Sequence, residues 1–471
     1  MTRMSISRRQ LLQRAALGLT GSASPLLSAA PLPAAEHDTA LRGLLSERLR
    51  LEGVGLAAAR LLPDGGLQLA ADGRAGGDQA LLTPDRHGFE IGSISKTFIG
   101  LLLADAAVRG ELRLDDAVDD SLGFALRDRD GQALRYVDLA THRSGLPRLA
   151  PNMKLDSPDP YADYGEAAML DALRGYRATR RRDEAFEYSN LGFGLLGWLL
   201  ARRAAQPLAT LLERRVLAPL GLGGAGGMQL QLRPRQGPGR VQGHDAQGRP
   251  APAWHFSEAT AGAGALLASA AQLARYGQAA LGLLQHPLGD AFALALRVHS
   301  TLGPGGVQLG LGWMRTRQQG REIATHDGGT AGFASSLWLD LSERRGGLVL
   351  ANAALSIGDL ARHLMDERAP FRDIAAERRA TQQAALSLSA EQLAPLAGVY
   401  ALNAGFKLTL RVDGQRLFAQ ASGQGEFELF ASGPRDFFAR VTPLRIRFEG
   451  GEPPAALLLE QAGRETRFQR E

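Results

Sequence analysis

Ser93 and Lys96 form the only Ser-x-x-Lys in the chain, and the spacing is one that a helix turns into proximity. Residues three apart share a helical face, so the serine hydroxyl and the lysine amine meet if a helix begins here. A serine becomes a nucleophile only beside a base, and an amine held dry near a helix N-terminus has its neutral form favoured. Free backbone N–H groups of the first turn can also stabilise an oxyanion. The structural alternative is an N-cap serine with a solvated lysine. Two further spacings occur once each. Tyr188-Ser189-Asn190 offers a phenol for proton relay and an amide to bond a substrate carbonyl, or else a loop tyrosine with Asn190 as N-cap. His326-Asp327-Gly328-Gly329 offers glycines where a backbone can approach closely, with the Gly329 N–H placed across from that of Ser93, or else a simple turn.

The elements that must hold these residues are partly legible. Val54 to Leu61 and Leu67 to Ala71 flank Pro63-Asp64-Gly65-Gly66 and predict a β-hairpin. Ile94 to Val108 is a strongly apolar run ending at Gly110 and predicts a buried helix opened by Gly92-Ser93. From about Leu114 to His299 the chain reads as helical, without strand alternation, and Ser269-Ala270-Ala271-Gln272 is a capping box. Strand character returns at Val307 to Arg315, Glu322 to His326, Gly332 to Asp340 and Gly347 to Asn352, with a tight turn expected at Arg344 to Gly347. That order predicts an α/β fold: one sheet built from both ends of the domain, interrupted by an α insertion over about 115–300. A polar helical linker is expected over 369–392. Short alternating segments from Gly398 onward predict a separate antiparallel all-β barrel or sandwich.

Composition narrows the chemistry. The 471 residues are 45% hydrophobic and 22% charged, an ordinary globular balance, and contain no Cys, which excludes disulfides, thiolate metal sites and a cysteine nucleophile. The net charge of +5 is concentrated in the first 35 residues, which hold four arginines; without them 50 basic residues face 49 acidic ones, so no nucleic-acid partner is expected. Arg8-Arg9 before a mildly apolar stretch, followed by Ser28-Ala29-Ala30 and Pro33-Ala34-Ala35, is similar to a twin-arginine export signal over 1–35. A periplasmic protein follows, with no stable membrane anchor after cleavage. The nine histidines form no His-Glu-x-x-His or comparable cluster, so no metal and no cofactor are expected. Gly221 to Gly226 satisfies G-x-G-x-x-G but leads into no helix and reads as a loop. No Gly-x-Ser-x-Gly elbow occurs, and His142 in a Thr-His-x-Ser-Gly turn reads as structural.

The order of the blocks Phe89 to Phe98, Leu139 to Pro147, Tyr188 to Asn190 and His326 to Phe333 resembles the penicillin-recognising serine hydrolases, which include class C β-lactamases, D-alanyl-D-alanine carboxypeptidases, D-aminopeptidases and related esterases. The resemblance implies a hydrolase domain over 36–368, with Ser93 acylated, Lys96 and Tyr188 as the proton-transfer pair and Asn190 on a substrate amide. It further implies His326 opposite Tyr188, Gly328 beside the substrate, and an oxyanion hole from the N–H groups of Ser93 and Gly329. The substrate it implies is a peptide, amide or ester, foremost a D-amino-acid peptide. A β-lactamase, or a penicillin-binding sensor acylated without turnover, is the alternative. His326 stands where class C β-lactamases carry lysine, and Asp327 where a hydroxyl residue is usual. Residues 393–471 resemble the lipocalin-like domain attached to some of these peptidases.

Overall fold

The computed structural model describes residues 38–471 except 53, 77–80, 155–156, 233–240, 247, 303–306, 371–384, 404–405, 423–425, 440–443 and 462–463. The export-signal expectation over 1–35 lies outside the described residues, as does most of the expected linker. In chain order, helix α1 (Thr39–Glu52) precedes the hairpin β1 (Gly55–Leu61) and β2 (Leu67–Gly73). Strand β3 (Phe89–Glu90) leads through a single 3-10 turn, Gly92–Ile94, into α2 (Ser95–Val108). The insertion contributes α3 (Asn190–Arg203), β4 (Gln229–Leu230), β5 (Leu266–Ala268) and α4 (Ala270–Ala280), among shorter helices. Then come β6 (Ser300–Leu302), β7 (Val307–Leu309), β8 (Met314–Gln318), β9 (Arg321–Gly329), β10 (Ala334–Asp340), β11 (Arg345–Ala351) and α5 (Gly358–Met365).

Eight strands form one antiparallel sheet in the order β2-β1-β11-β10-β9-β8-β7-β6, so β1 from the N-terminal side pairs with β11 from the far end, as the element order predicts. Both faces are covered, which is why β1 reads as a run of small apolar residues rather than an alternation. Leu56 and Ala58 pack with α1 and α5 on one face, while Ala57 and Ala59 join the larger core of α2 and α4 on the other. Buried Arg48 of α1 pairs with Asp359 of α5 at 2.5 Å and ties that outer layer together.

Three expectations need correction. The strand expected at Val307 to Arg315 is two, β7 and the start of β8, with β6 added before them, and the insertion holds β4 and β5, which join β3 in a three-stranded sheet of order β3-β5-β4. Strands of two and three residues are too short to show alternation. The turn expected at Arg344 to Gly347 sits earlier, at residues 341–344 with Arg344 at φ +52°, and Gly346 and Gly347 lie inside β11. Gly347 is there for close approach: a Cβ would lie 2.2 Å from the Ala361 carbonyl oxygen of α5. The Ser269 capping box is present, its hydroxyl accepting from Gln272 N–H at 3.2 Å while the Gln272 amide accepts from Ser269 N–H at 2.8 Å.

The C-terminal residues form β12 (Gly398–Asn403), β13 (Phe406–Asp413), β14 (Arg416–Ala421), β15 (Glu426–Ala431), β16 (Asp436–Ala439), β17 (Leu444–Glu449), β18 (Ala456–Gln461) and β19 (Arg464–Arg470). They close into an eight-stranded barrel in which β12 pairs with β19. Alternate residues such as Leu408, Leu410, Leu417, Leu429, Phe437, Ile446, Leu457 and Phe468 pack into a single apolar cluster. Among the described residues no helix is long and apolar enough to cross a membrane.

Candidate active site

The turn that presents Ser93 is fixed by its neighbours. Gly92 has φ +48°, a conformation glycine adopts without strain, and a Cβ there would lie 2.7 Å from the Gly329 nitrogen. Directly after the turn α2 begins, and nearly all of it is buried. It is clamped at Gly100, where a Cβ would meet the Leu311 carbonyl oxygen at 2.0 Å, and at Lys96, whose carbonyl faces Gly312 with φ +74°. With its backbone held, Lys96 places Nζ 2.9 Å from Ser93 Oγ and bonds the carbonyl oxygen of Ala263. Ala263 reaches the amine because Gly194, Gly197 and Gly262 let its 3-10 turn press against α3: a Cβ on Gly262 would lie 2.3 Å from the Phe193 carbonyl oxygen.

Lys96 is fully buried, so desolvation holds its amine well below the usual lysine range, and the nearby Arg148 charge lowers it further. Its Nζ stands 4.9 Å from the centre of the Tyr188 ring. Burial pushes the Tyr188 phenol up to about 12, although its bond to Ser93 and the Arg148 charge act the other way. The environment therefore works against the charged form of both groups: the amine holds its proton less firmly than a free lysine, and the phenol keeps the proton it can give. His142 fixes the tyrosine. Its ring stacks on Tyr188 at 4.3 Å, and Nδ1 accepts the Ser189 N–H at 3.0 Å, so the histidine acts as a positioning residue. Ser189, not Asn190, caps α3, accepting from Gly192 N–H at 2.8 Å and donating to the Pro147 carbonyl at 2.7 Å. Asn190 takes the next position and donates its side-chain amide to Tyr161 Oη at 2.9 Å.

Strand β9 closes the opposite side. A Cβ on Gly328 would lie 2.1 Å from the Ile91 carbonyl oxygen and 3.0 Å from Ser93 N, so only glycine lets the strand come this near to the serine turn. Ser335 of β10 locks the contact by donating to the same Ile91 oxygen at 2.8 Å. Gly329 N–H is thereby brought to the Ser93 turn. His326 is buried, its ring centre 6.3 Å from that of Tyr188. Its Nδ1 bonds the Asp327 carbonyl oxygen at 2.7 Å, which puts the proton on Nδ1 and leaves Nε2 a buried acceptor without a partner among the described residues. Desolvation, then the Lys96 charge, pushes the ring down to about 3, so it is neutral at pH 7. Alternation turns Asp327 the other way: its carboxylate accepts from Ser336 Oγ at 2.6 Å and lies toward Gly358 at the start of α5. A carboxylate of Asp327 facing the serine is thus not what the strand provides.

All seven residues singled out by spacing fall around this one turn and its two walls. Arg148, Tyr161 and the Ala263 carbonyl were not visible in the sequence. Arg148 directly follows the Leu139 to Pro147 block, but in a chain with 51 arginines one more carries no signal. Among the described residues no group of three His, Asp or Glu could hold a metal ion.

A family model described as "Beta-lactamase" matches residues 44–369. A β-lactamase of Providencia stuartii is 34% identical over 139 residues, 29% of this chain and only 33% of that protein's own length. Penicillin-binding protein 4* of Bacillus subtilis (strain 168) is 24% identical over 411 residues, covering 80% of this chain and 86% of the relative. Among solved structures, a class C β-lactamase from Rhodobacter sphaeroides matches with a TM-score of 0.60 at 23% identity, over 70% of this chain and 98% of that one.

Proposed function

The chain belongs to the β-lactamase family, and from that premise we propose that it is an exported serine hydrolase working through an acyl-enzyme on peptides, amides or esters. The observation that carries the reading is the buried Lys96 amine 2.9 Å from Ser93 Oγ. Lys96 takes the Ser93 proton as Oγ attacks the substrate carbonyl, and the N–H groups of Ser93 and Gly329 receive the oxyanion. The carbonyl–leaving-group bond then breaks while Tyr188 gives its proton to the departing nitrogen or oxygen and recovers one from Lys96. Water next attacks the ester, releasing the acid and restoring Ser93. Asn190 bonds the substrate amide, and Gly328 keeps the strand close to it.

The charge pattern supports esters, amides and D-aminoacyl substrates without a carboxylate at this strand over β-lactams and D-Ala-D-Ala peptides. Both of the latter present a carboxylate, and His326, neutral and buried, offers no cation to receive it. Mass spectrometry after a fluorophosphonate tests the mechanism: one adduct on Ser93 is expected, absent in Ser93→Ala, and undiminished labelling of that variant refutes it. Turnover of D-aminoacyl amides, D-Ala-D-Ala peptides and p-nitrophenyl esters, compared with nitrocefin, tests the substrate class; nitrocefin as the best of the panel would favour a β-lactamase instead. Export to the periplasm rests on Arg8-Arg9 and the small-residue run that follows.

A further inference from the structure

Arg148 stands in the wall of this site with its charge unspent. Its carbonyl oxygen accepts the N–H groups of Asn190 and Leu191 at 2.9 and 3.2 Å, which fixes it at the start of α3. Its guanidinium lies 5.2 Å from the centre of the Tyr188 ring, the same ring that Lys96 approaches. The residue is solvent-exposed, and among the described residues it makes no ion pair. The acids of neighbouring segments are taken: Asp159 accepts from the ring and backbone of His255, and Asp327 from Ser336. Beside Arg148, Asn190 spends one end of its side-chain amide on Tyr161, and its Oδ1, also buried, has no partner. Tyr161 in turn stacks with Phe256 at 4.6 Å and meets Trp254 at 5.3 Å, so the wall is rigid.

An unpaired cation next to an unpaired buried acceptor asks for a ligand that carries an anion and an N–H a few ångströms apart. We infer that Arg148 and Asn190 form a subsite for an acidic acyl group, in which the substrate's amide N–H bonds Asn190 Oδ1 and its carboxylate pairs with Arg148. The substrate class narrows accordingly to peptides or amides whose acyl residue is acidic and whose leaving group need not be. This inference rests on the acyl-enzyme reading above.

The test compares N-acetylglutamyl with N-acetylglutaminyl p-nitrophenyl esters, each as D and L enantiomer, which differ in charge but hardly in shape. In the wild type, kcat/KM for the better glutamyl enantiomer should exceed that of its glutaminyl partner by about two- to fivefold, the scale of one exposed charge pair. The ratio should fall as salt is raised, because Arg148 is exposed. It should collapse to about one in Arg148→Gln, drop below one in Arg148→Glu, and be largely kept in Arg148→Lys. Because the readout is a ratio, general damage to the site cancels. A wild-type ratio near one, an unchanged ratio in Arg148→Gln, or failure to turn over either ester while a fluorophosphonate still labels Ser93 would overturn the inference. Absence of fluorophosphonate labelling at Ser93 would instead remove the acyl-enzyme reading on which it stands.

Discussion

Gly328→Ala is the sharpest probe of how the sheet and the serine turn cooperate. The added methyl would sit 2.1 Å from the Ile91 carbonyl oxygen, 2.4 Å from Ser335 Oγ and 3.0 Å from Ser93 N. A carbon and a carbonyl oxygen rest at about 3.3 Å or more, so β9 must retreat by roughly 1 Å. That retreat carries Gly329 N–H away from Ser93 N–H and opens the space between the two groups proposed to receive the oxyanion. A misplacement of this size costs about 10²-fold in rate, and the loss of one such donor about 10²–10³-fold. The strain of overpacking costs about 1–3 kcal/mol of stability, so the variant should remain folded. Gly329→Ala is the matched control: its Cβ would meet nothing nearer than the Phe333 carbonyl oxygen at 3.7 Å. The assay is the second-order rate of fluorophosphonate labelling, read alongside thermal unfolding. Gly328→Ala should label about a hundredfold more slowly and Gly329→Ala within about threefold of wild type. Equal rates for Gly328→Ala and wild type, or equal losses in both variants, would refute the reasoning.

Lys96→Arg should lower the labelling rate by about 10²–10⁴-fold, since a guanidinium stays protonated and this position is fully buried; near-normal turnover would make Lys96 a packing residue. The pH profile of acylation follows from the signs of the shifts. Activity needs neutral Lys96, so it is present above the lysine's depressed pKa and lost as pH falls through it, while Tyr188, pushed up to about 12, keeps its proton well into the alkaline range. A rising limb centred near pH 10, the ordinary lysine value, would contradict the desolvated amine. A fall between about pH 8 and 10 would contradict the protonated phenol. Replacing Arg8 and Arg9 together by lysine should leave the precursor in the cytoplasm, checked by fractionation; unchanged periplasmic yield would point to the general secretory route.

Much of this site is written locally. Three residues of separation in a helical turn bring Ser93 and Lys96 onto one face, although the turn at Gly92–Ile94 is 3-10 and the α-helix begins only at Ser95. The apolar run after Lys96 announces a buried helix, and the alternating tail announces an antiparallel β unit. The element order alone joins the first hairpin to the last strands. Other features depend on approach between segments far apart in the chain, which no local pattern encodes. The pKa of Lys96 is set by its full burial and by Arg148, 52 positions away in the numbering. Its second partner, the Ala263 carbonyl, arrives only because glycines on α3 and its own turn allow backbones to touch. Whether Asp327 faces the serine was undecidable from the motif and was decided by strand register, which pairs it with Ser336 on the α5 side. The sequence by itself determined which side chains could do chemistry; the tertiary structure decided which of them are dry, neutral and facing one another, since desolvation and contact are properties of the packed molecule.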